Sequence, residues 1–106
     1  MQDAQWQDLI SIHALHKRDA TPVQLNDLAL AVYDTHNGYT VSAARCTHAG
    51  ANLCDGYFDG QYIECPLHQG LFDATTGEAK AAPVVNALTM YECRVLNGTL
   101  QIKLPC

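Results

Sequence analysis

Antiparallel β-structure is the fold class that the sequence predicts, arranged as a small sandwich or barrel. Three observations predict it. Several short runs alternate polar and apolar residues with period two, Asn-Gly or Asp-Gly dipeptides stand between paired runs, and the runs recur at roughly ten-residue spacing. With 106 residues, 48% of them hydrophobic, the chain is one domain's worth and has enough apolar side chain to bury a core.

Taken in order, Trp6 to Leu15 reads as an opening strand and a turn. A loop at Lys17-Arg18-Asp19-Ala20 follows, then a strand near Pro22 to Leu25. Leu28-Ala29-Leu30-Ala31-Val32-Tyr33 has helix-forming residues, but the run is too short for a stable helix and turn residues flank it, so it is read as strand. Asn37-Gly38 turns it into the alternating run Tyr39-Thr40-Val41-Ser42-Ala43. Asp59-Gly60 separates Tyr57-Phe58 from Gln61-Tyr62-Ile63-Glu64. Asn97-Gly98 joins Met90 to Val95 with Thr99 to Leu104, and this dipeptide suits the positive φ angles of a type I′ hairpin turn.

Eleven acidic residues against six basic give a formal net charge of −5, so no basic surface is available for a phosphate backbone and nucleic acid is excluded as a partner. No run approaches the length of a membrane span, and MQDAQWQDLI lacks the basic start and apolar run of a signal peptide. A cytoplasmic location and no membrane partner are expected. Five cysteines, an odd number without an export signal, argue against a disulfide framework and for metal ligation.

The stretch from Cys46 to Phe72 differs from its flanks. It contains Gly50, Gly56, Gly60, Pro66 and Gly70 and two short strands at most, and reads as a loop-built insertion that needs something other than a core to hold it. Within it lie Cys46-Thr47-His48 and Cys65-Pro66-Leu67-His68, a CxH and a CxxH with sixteen residues between them. In an extended CxH pair the two side chains share one side of a strand or loop tip, and a turn through Pro66 lets the second pair do the same. Two such loops facing one another can enclose a metal centre. A Cys2His2 set could hold one structural zinc. Alternatively, both cysteines could hold one iron of a two-iron two-sulfur cluster and both histidines the other. Against a zinc finger, each loop here supplies one of each ligand, and Gly70-Leu71-Phe72-Asp73 continues without a helix.

CTHAG at Cys46 to Gly50 and CPLHQGLFD at Cys65 to Asp73 resemble the two ligand boxes of Rieske proteins, and the sixteen-residue gap fits that family. Ala82-Pro83 after Gly77 resembles the family's proline loop, which covers the cluster from a third side. The resemblance spans essentially the whole chain and is most specific from Arg45 to Pro83. The length and sequence most resemble the soluble Rieske ferredoxins of bacterial aromatic-ring-hydroxylating dioxygenase systems.

The resemblance implies an antiparallel β-sandwich over residues 1–106, with an inserted loop-rich cluster-binding subdomain at about residues 45–83. It implies one Rieske-type 2Fe-2S cluster per chain, with Cys46 and Cys65 on the inner iron and His48 and His68 on the outer one. Two ferric ions, two sulfides and two thiolates then sum to zero charge, against minus two for an all-cysteine cluster, so the potential lies above that of plant-type ferredoxins. High-potential members carry a disulfide where this chain has Ala51 and Leu67, and serine and tyrosine hydroxyls where it has Gly70 and Phe72. A potential at the low end of the family's range, roughly −150 mV, is therefore expected. The family leaves one histidine nitrogen of each ring at the surface, which gives a short electron route and a potential that falls at alkaline pH.

The implied function is that of a soluble one-electron carrier and not an enzyme. It takes electrons from a flavin-dependent ferredoxin reductase and gives them to a terminal aromatic-ring-hydroxylating oxygenase, as a monomer with transient docking. An oxygenase needs a further two-histidine, one-carboxylate iron site, and after Phe72 there are only 34 residues and no histidine. The absence of a membrane anchor and of the disulfide disfavours a respiratory Rieske subunit. The alternatives are a non-redox structural zinc module or a Rieske subunit of another oxidoreductase.

Weaker signals have plainer readings. Cys93 alternates with Tyr91 and Val95 as a small core residue, Cys54 has no disulfide partner in the second box, and Cys106 is terminal. His13, His16 and His36 read as solvated. Asp55, Asp59 and Glu64, with no lysine or arginine between Cys46 and Phe72, would steer a basic or neutral partner toward the cluster segment. Leu67 and Leu71 offer an apolar docking surface there.

Overall fold

The computed structural model describes residues 5–15, 17, 19–46, 51–67, 70–82 and 86–104. It is an antiparallel β-sandwich that carries a cluster-segment sheet on one side. The strands are β1 (Gln5–Ser11), β2 (Ala20–Leu25), β3 (Leu28–Thr35), β4 (Gly38–Ala43), β5 (Tyr57–Phe58), β6 (Tyr62–Glu64), β7 (Leu71–Asp73), β8 (Ala79–Ala81), β9 (Met90–Tyr91), β10 (Cys93–Leu96) and β11 (Thr99–Leu104). Two single-turn 3-10 helices, Ile12–Ala14 and Leu53–Asp55, interrupt them. Among the described residues, no helix is long and apolar enough to cross a membrane.

Three sheets result, ordered β1-β11-β10, β2-β3-β4-β9 and β5-β6-β7-β8. β3 lies between two cores and explains the arrangement. Leu30 and Val32 join Val41, Leu100 and Ile102 on one side, while Ala31 and Tyr33 join Leu53, Ile63 and Phe72 on the other. A strand buried on both faces has no polar face to show, which is why its sequence is a continuous apolar run and not an alternating one. β11 behaves conventionally: Leu100 and Ile102 point inward, and Gln101 between them is only partly covered.

The turns follow their sequences with three adjustments. At the β5–β6 turn Phe58 opposes Ile63 and Asp59 N–H donates to the Tyr62 carbonyl (3.2 Å), so the central pair is Gly60-Gln61 and not Asp59-Gly60. At the β10–β11 hairpin, Leu96 opposes Thr99, and both Asn97 (φ 52°) and Gly98 (φ 78°) take the positive φ of a type I′ turn. In the β3–β4 hairpin the central pair is His36-Asn37, because Thr35 opposes Gly38 and the glycine opens β4 instead of completing the turn. Thr35 closes that turn by donating its hydroxyl to the Gly38 carbonyl (2.6 Å) and accepting from the Asn37 N–H (3.0 Å). The β2–β3 turn at Asn26-Asp27 has no glycine to announce it, and Asn26 takes the positive φ itself.

Two expectations are revised. Met90 to Val95 is not one strand: β9 pairs with β4, β10 pairs with β11, and the chain changes sheet at Glu92. The stretch after Cys46 also has more order than two strands. β5, β6, β7 and β8 form a sheet of their own, and Leu53, Ile63, Phe72 and Ala74 are fully buried beneath it. The cluster segment therefore shares a hydrophobic core with β3. Hydrogen bonds from His36 N–H to the Gly60 carbonyl (3.1 Å) and from the Thr40 hydroxyl to the Ala74 carbonyl (2.6 Å) stitch it to the base.

Candidate metal centre

Both cysteine boxes are hairpin extensions closed by the same bond. Beyond β4, Leu53 N–H donates to Ala44 O (2.7 Å), Arg45 bridges Asn52, and Cys46 N–H donates to Ala51 O (2.7 Å). Beyond β6, Glu64 opposes Leu71 and Cys65 N–H donates to Gly70 O (2.8 Å). Each cysteine thus stands at the base of a loop, bonded to the carbonyl five residues on. His48 and His68 fall inside these loops by sequence, and both lie outside the described residues. Pro83 of the expected covering loop lies outside them as well.

The two thiols belong to one core. Cys46 is 3% exposed and Cys65 1%, and both cluster with Leu53, Ile63 and Phe72. No disulfide joins the described cysteines. A pair of thiolates walled by apolar side chains, on two loops that each carry an imidazole, is a donor set suited to a 2Fe-2S cluster with mixed ligation.

Some residues around the centre were not legible as contributors. Asn52 accepts from the Cys54 N–H (2.9 Å) and caps the helical turn that leads out of the first loop. The sequence signal for it is an asparagine directly ahead of Leu53-Cys54-Asp55, the placement of a helix cap. Tyr33 lies in the shared core, with its ring 5.4 Å from that of Phe58 and its hydroxyl 2.9 Å from Ser42 Oγ. Burial pushes its pKa well above the ordinary tyrosine value, against a smaller lowering by the Ser42 bond.

The remaining candidates resolve as follows. Cys93 is half-buried in the second core and its thiol donates to the Tyr39 carbonyl (3.2 Å). Cys54 packs against the shared core, and desolvation, then Asp55 and Asp19, push its thiol up to about 12. His13 and His36 are exposed. His16 and Cys106 lie outside the described residues.

Comparison with known proteins gives one consistent result. Residues 5–92 match the family described as "Rieske [2Fe-2S] domain". The chain is 34% identical over 99 residues to the ferredoxin component of a naphthalene 1,2-dioxygenase system of Pseudomonas putida, covering 93% of this chain and 95% of that protein. Its fold matches a Sphingomonas yanoikuyae B1 ferredoxin with a TM-score of 0.89 at 35% identity, covering 95% of this chain and all of the other. It also matches, with a TM-score of 0.84 at 27% identity over 95% of this chain and 94% of the other, a chain from a complex of reduced oxygenase and oxidized ferredoxin in carbazole 1,9a-dioxygenase.

Proposed function

The chain belongs to the Rieske 2Fe-2S domain family, and from that premise we propose that it is the ferredoxin of an aromatic-ring-hydroxylating dioxygenase system, carrying single electrons from a flavin-dependent reductase to a terminal oxygenase. In this reading Cys46 and Cys65 hold one iron and His48 and His68 the other. Residues 1–106 form one Rieske domain, with residues 45–83 as its cluster-binding part. The carrier is cytoplasmic and works as a monomer that docks transiently.

The observation that carries the reading is the matched pair of loops, each closed from a cysteine N–H to a carbonyl five residues on, with both thiols in one core. When bound, the cluster supplies a one-electron couple. The chain supplies the rest. Leu53, Ile63 and Phe72, all fully buried, keep water from the thiolate side. Each loop-closing bond fixes the backbone of its own cysteine, and the shared core holds the two cysteines side by side, so little has to move when the charge changes. The relatives with matching length are named as ferredoxin components, which supports a carrier and not the oxygenase. The family match also displaces the structural-zinc reading.

Absorption and electron paramagnetic resonance spectra of the purified protein, before and after dithionite, test the proposal. A red-brown protein whose reduced form gives a rhombic signal, with average g below that of an all-cysteine cluster, is expected. A colourless, resonance-silent protein with one zinc would overturn it.

A further inference from the structure

We propose that the outer face of the β5–β8 sheet anchors a redox partner that presents a basic group between two apolar contacts, received by Glu64 between Tyr57 and Leu71. The inference rests on the electron-carrier reading and adds to it a place and a chemistry.

The first support is where the charge lies. Residues 46–79 contain Asp55, Asp59, Glu64, Asp73 and Glu78 and no lysine or arginine, while the rest of the chain has six acidic and six basic residues. The whole formal charge of −5 therefore belongs to the segment that carries both cysteine loops. Such asymmetry orients a diffusing protein, cluster end first, toward a basic surface. It also opposes a second copy of this chain on the same face, since like would meet like.

The second support is the sheet's register. Tyr57 opposes Glu64, Glu64 opposes Leu71, and Leu71 opposes Ala81. Opposed residues share a face, and Phe58, Ile63 and Phe72 form the neighbouring row that points into the core. The Glu64 carboxylate is thus carried on the outer face with an apolar body on either side, in a row about 10 Å across from strand spacing. Glu64 makes no ion pair with any described residue, whereas Lys80, the one basic side chain of this sheet, is bound to Glu78 at 2.6 Å.

Exposure is the third. Tyr57 is 68% exposed and Leu67 60%, the largest values among the large apolar side chains described. Glu64 directly precedes Cys65, and the exposed Leu67 follows that cysteine by two, so the face adjoins the second cysteine loop along the chain. An aromatic anchor and an apolar lip around one charge would exclude water from the ion pair formed with a partner's lysine or arginine, which is where interface energy concentrates.

The test uses the holoprotein, reduced with dithionite and mixed in stopped flow with ferricytochrome c, a basic one-electron acceptor whose haem iron goes from ferric to ferrous as the 2Fe-2S cluster is oxidised. Potentials measured on the same samples correct for driving force. The second-order rate is expected to fall as ionic strength rises from about 0.02 to about 0.3 M. Tyr57→Ala and Glu64→Gln should each lower the low-salt rate by about threefold or more, while Glu92→Gln, an exposed acid on the base, leaves it unchanged. Equal slowing by Glu92→Gln would reduce the effect to net charge and overturn the proposal. So would unchanged rates in both face variants, or a wild-type dimer in sedimentation that Glu64→Gln dissolves. A protein that purifies without the 2Fe-2S spectrum would instead sink the carrier reading itself.

Discussion

Gly56 lies so close under the backbone carbonyl of Glu64 that a β-carbon added to it would overlap that oxygen. The contact brings the end of the Leu53–Asp55 turn against β6, one residue ahead of Cys65, and so couples the two cysteine loops. Because the obstructing atom is backbone, it cannot swing away as a side-chain tip would.

Gly56→Ala is therefore expected to destabilise by about 2–3 kcal/mol, in the range of overpacked sites, and to lower iron retention because Glu64 leads into the second loop. Gly98→Ala is the control. Nothing lies within 4 Å of its β-carbon, so its cost is confined to the positive φ of 78°, about 1 kcal/mol. Thermal midpoints and iron content of the two variants check this. Equal effects would mean that the crossing at Glu64 is not tight.

A cysteine panel tests the proposed ligands. Cys46→Ala and Cys65→Ala should each abolish the iron content and the colour. Cys54→Ser and Cys93→Ser should retain both, because Cys93 is bonded to the Tyr39 carbonyl and Cys54 lies outside the two matched loop bases. A colourless Cys54→Ser protein that is still folded by circular dichroism would require a revised ligand set.

The buried Tyr33–Ser42 pair makes an asymmetric prediction. Ser42 donates its single hydroxyl proton to the Ala43 carbonyl (2.8 Å), so the Tyr33 hydroxyl must be the donor in the 2.9 Å bond to Ser42 Oγ. Tyr33→Phe removes a donor and leaves Ser42 bonded, at a cost of about 1 kcal/mol. Ser42→Ala strands a buried hydroxyl, at roughly 1–3 kcal/mol. Thermal midpoints at one scan rate should rank Ser42→Ala below Tyr33→Phe, and the reverse order would mean that Tyr33 finds another acceptor.

The strands and most hairpins could be read from the sequence because their signals are local: alternation in β11, Asn97-Gly98 at its turn, a short apolar run at β3. What could not be read was longer in range. Glu92 gives no local sign that the chain leaves one sheet for another, since the partners that pull β9 and β10 apart, β4 and β11, lie on either side in sequence. The core beneath the cluster segment was hidden for a similar reason. Leu53, Ile63 and Phe72 stand in short runs broken by glycines and acids, and they make a core only once β3 supplies Ala31 and Tyr33 from the other side. Of the candidate centre, the donor types and spacing were legible. The matched loop closures and the Asn52 cap were not, because they are made by backbone groups common to every residue.

Two groups set opposite pH limits. The Tyr62 and Gln61 backbone N–H groups donate to Asp59 and hold its carboxyl below the ordinary value. The stability this gives is present above the unfolded aspartate value near pH ~3.9 and is lost as the pH falls through the lowered one. Cys54 acts at the other end. Its thiol, raised to about 12 chiefly by desolvation, stays protonated when folded while the unfolded thiol ionises from about 8.5, so stability falls between those values. Midpoints of Asp59→Ala should converge on wild type at low pH, and those of Cys54→Ser should converge at high pH. Thiol titration should find Cys54 unreactive at neutral pH until the protein unfolds. Rapid native labelling at Cys54, shown by mass spectrometry, would contradict the burial on which this depends.

The reduction potential tests how much the surroundings of the sulfurs contribute. With two thiolates, two sulfides and two ferric ions summing to zero, the first electron meets less negative charge than in an all-cysteine cluster, which sets the potential above the plant-type range. Within the Rieske range the position depends on donors near the sulfurs and on cross-linking of the loops. Phe72 is fully buried and has no hydroxyl to offer, Gly70 contributes only backbone, and Ala51 and Leu67 cannot form a disulfide. Without those stabilising contacts the reduced state gains little, so a midpoint of roughly −150 mV is expected in a dye-mediated titration. A value clearly positive of zero would mean that backbone N–H groups or water supply the donors that these side chains lack. The loops would then control the potential and the residues at positions 70 and 72 would not.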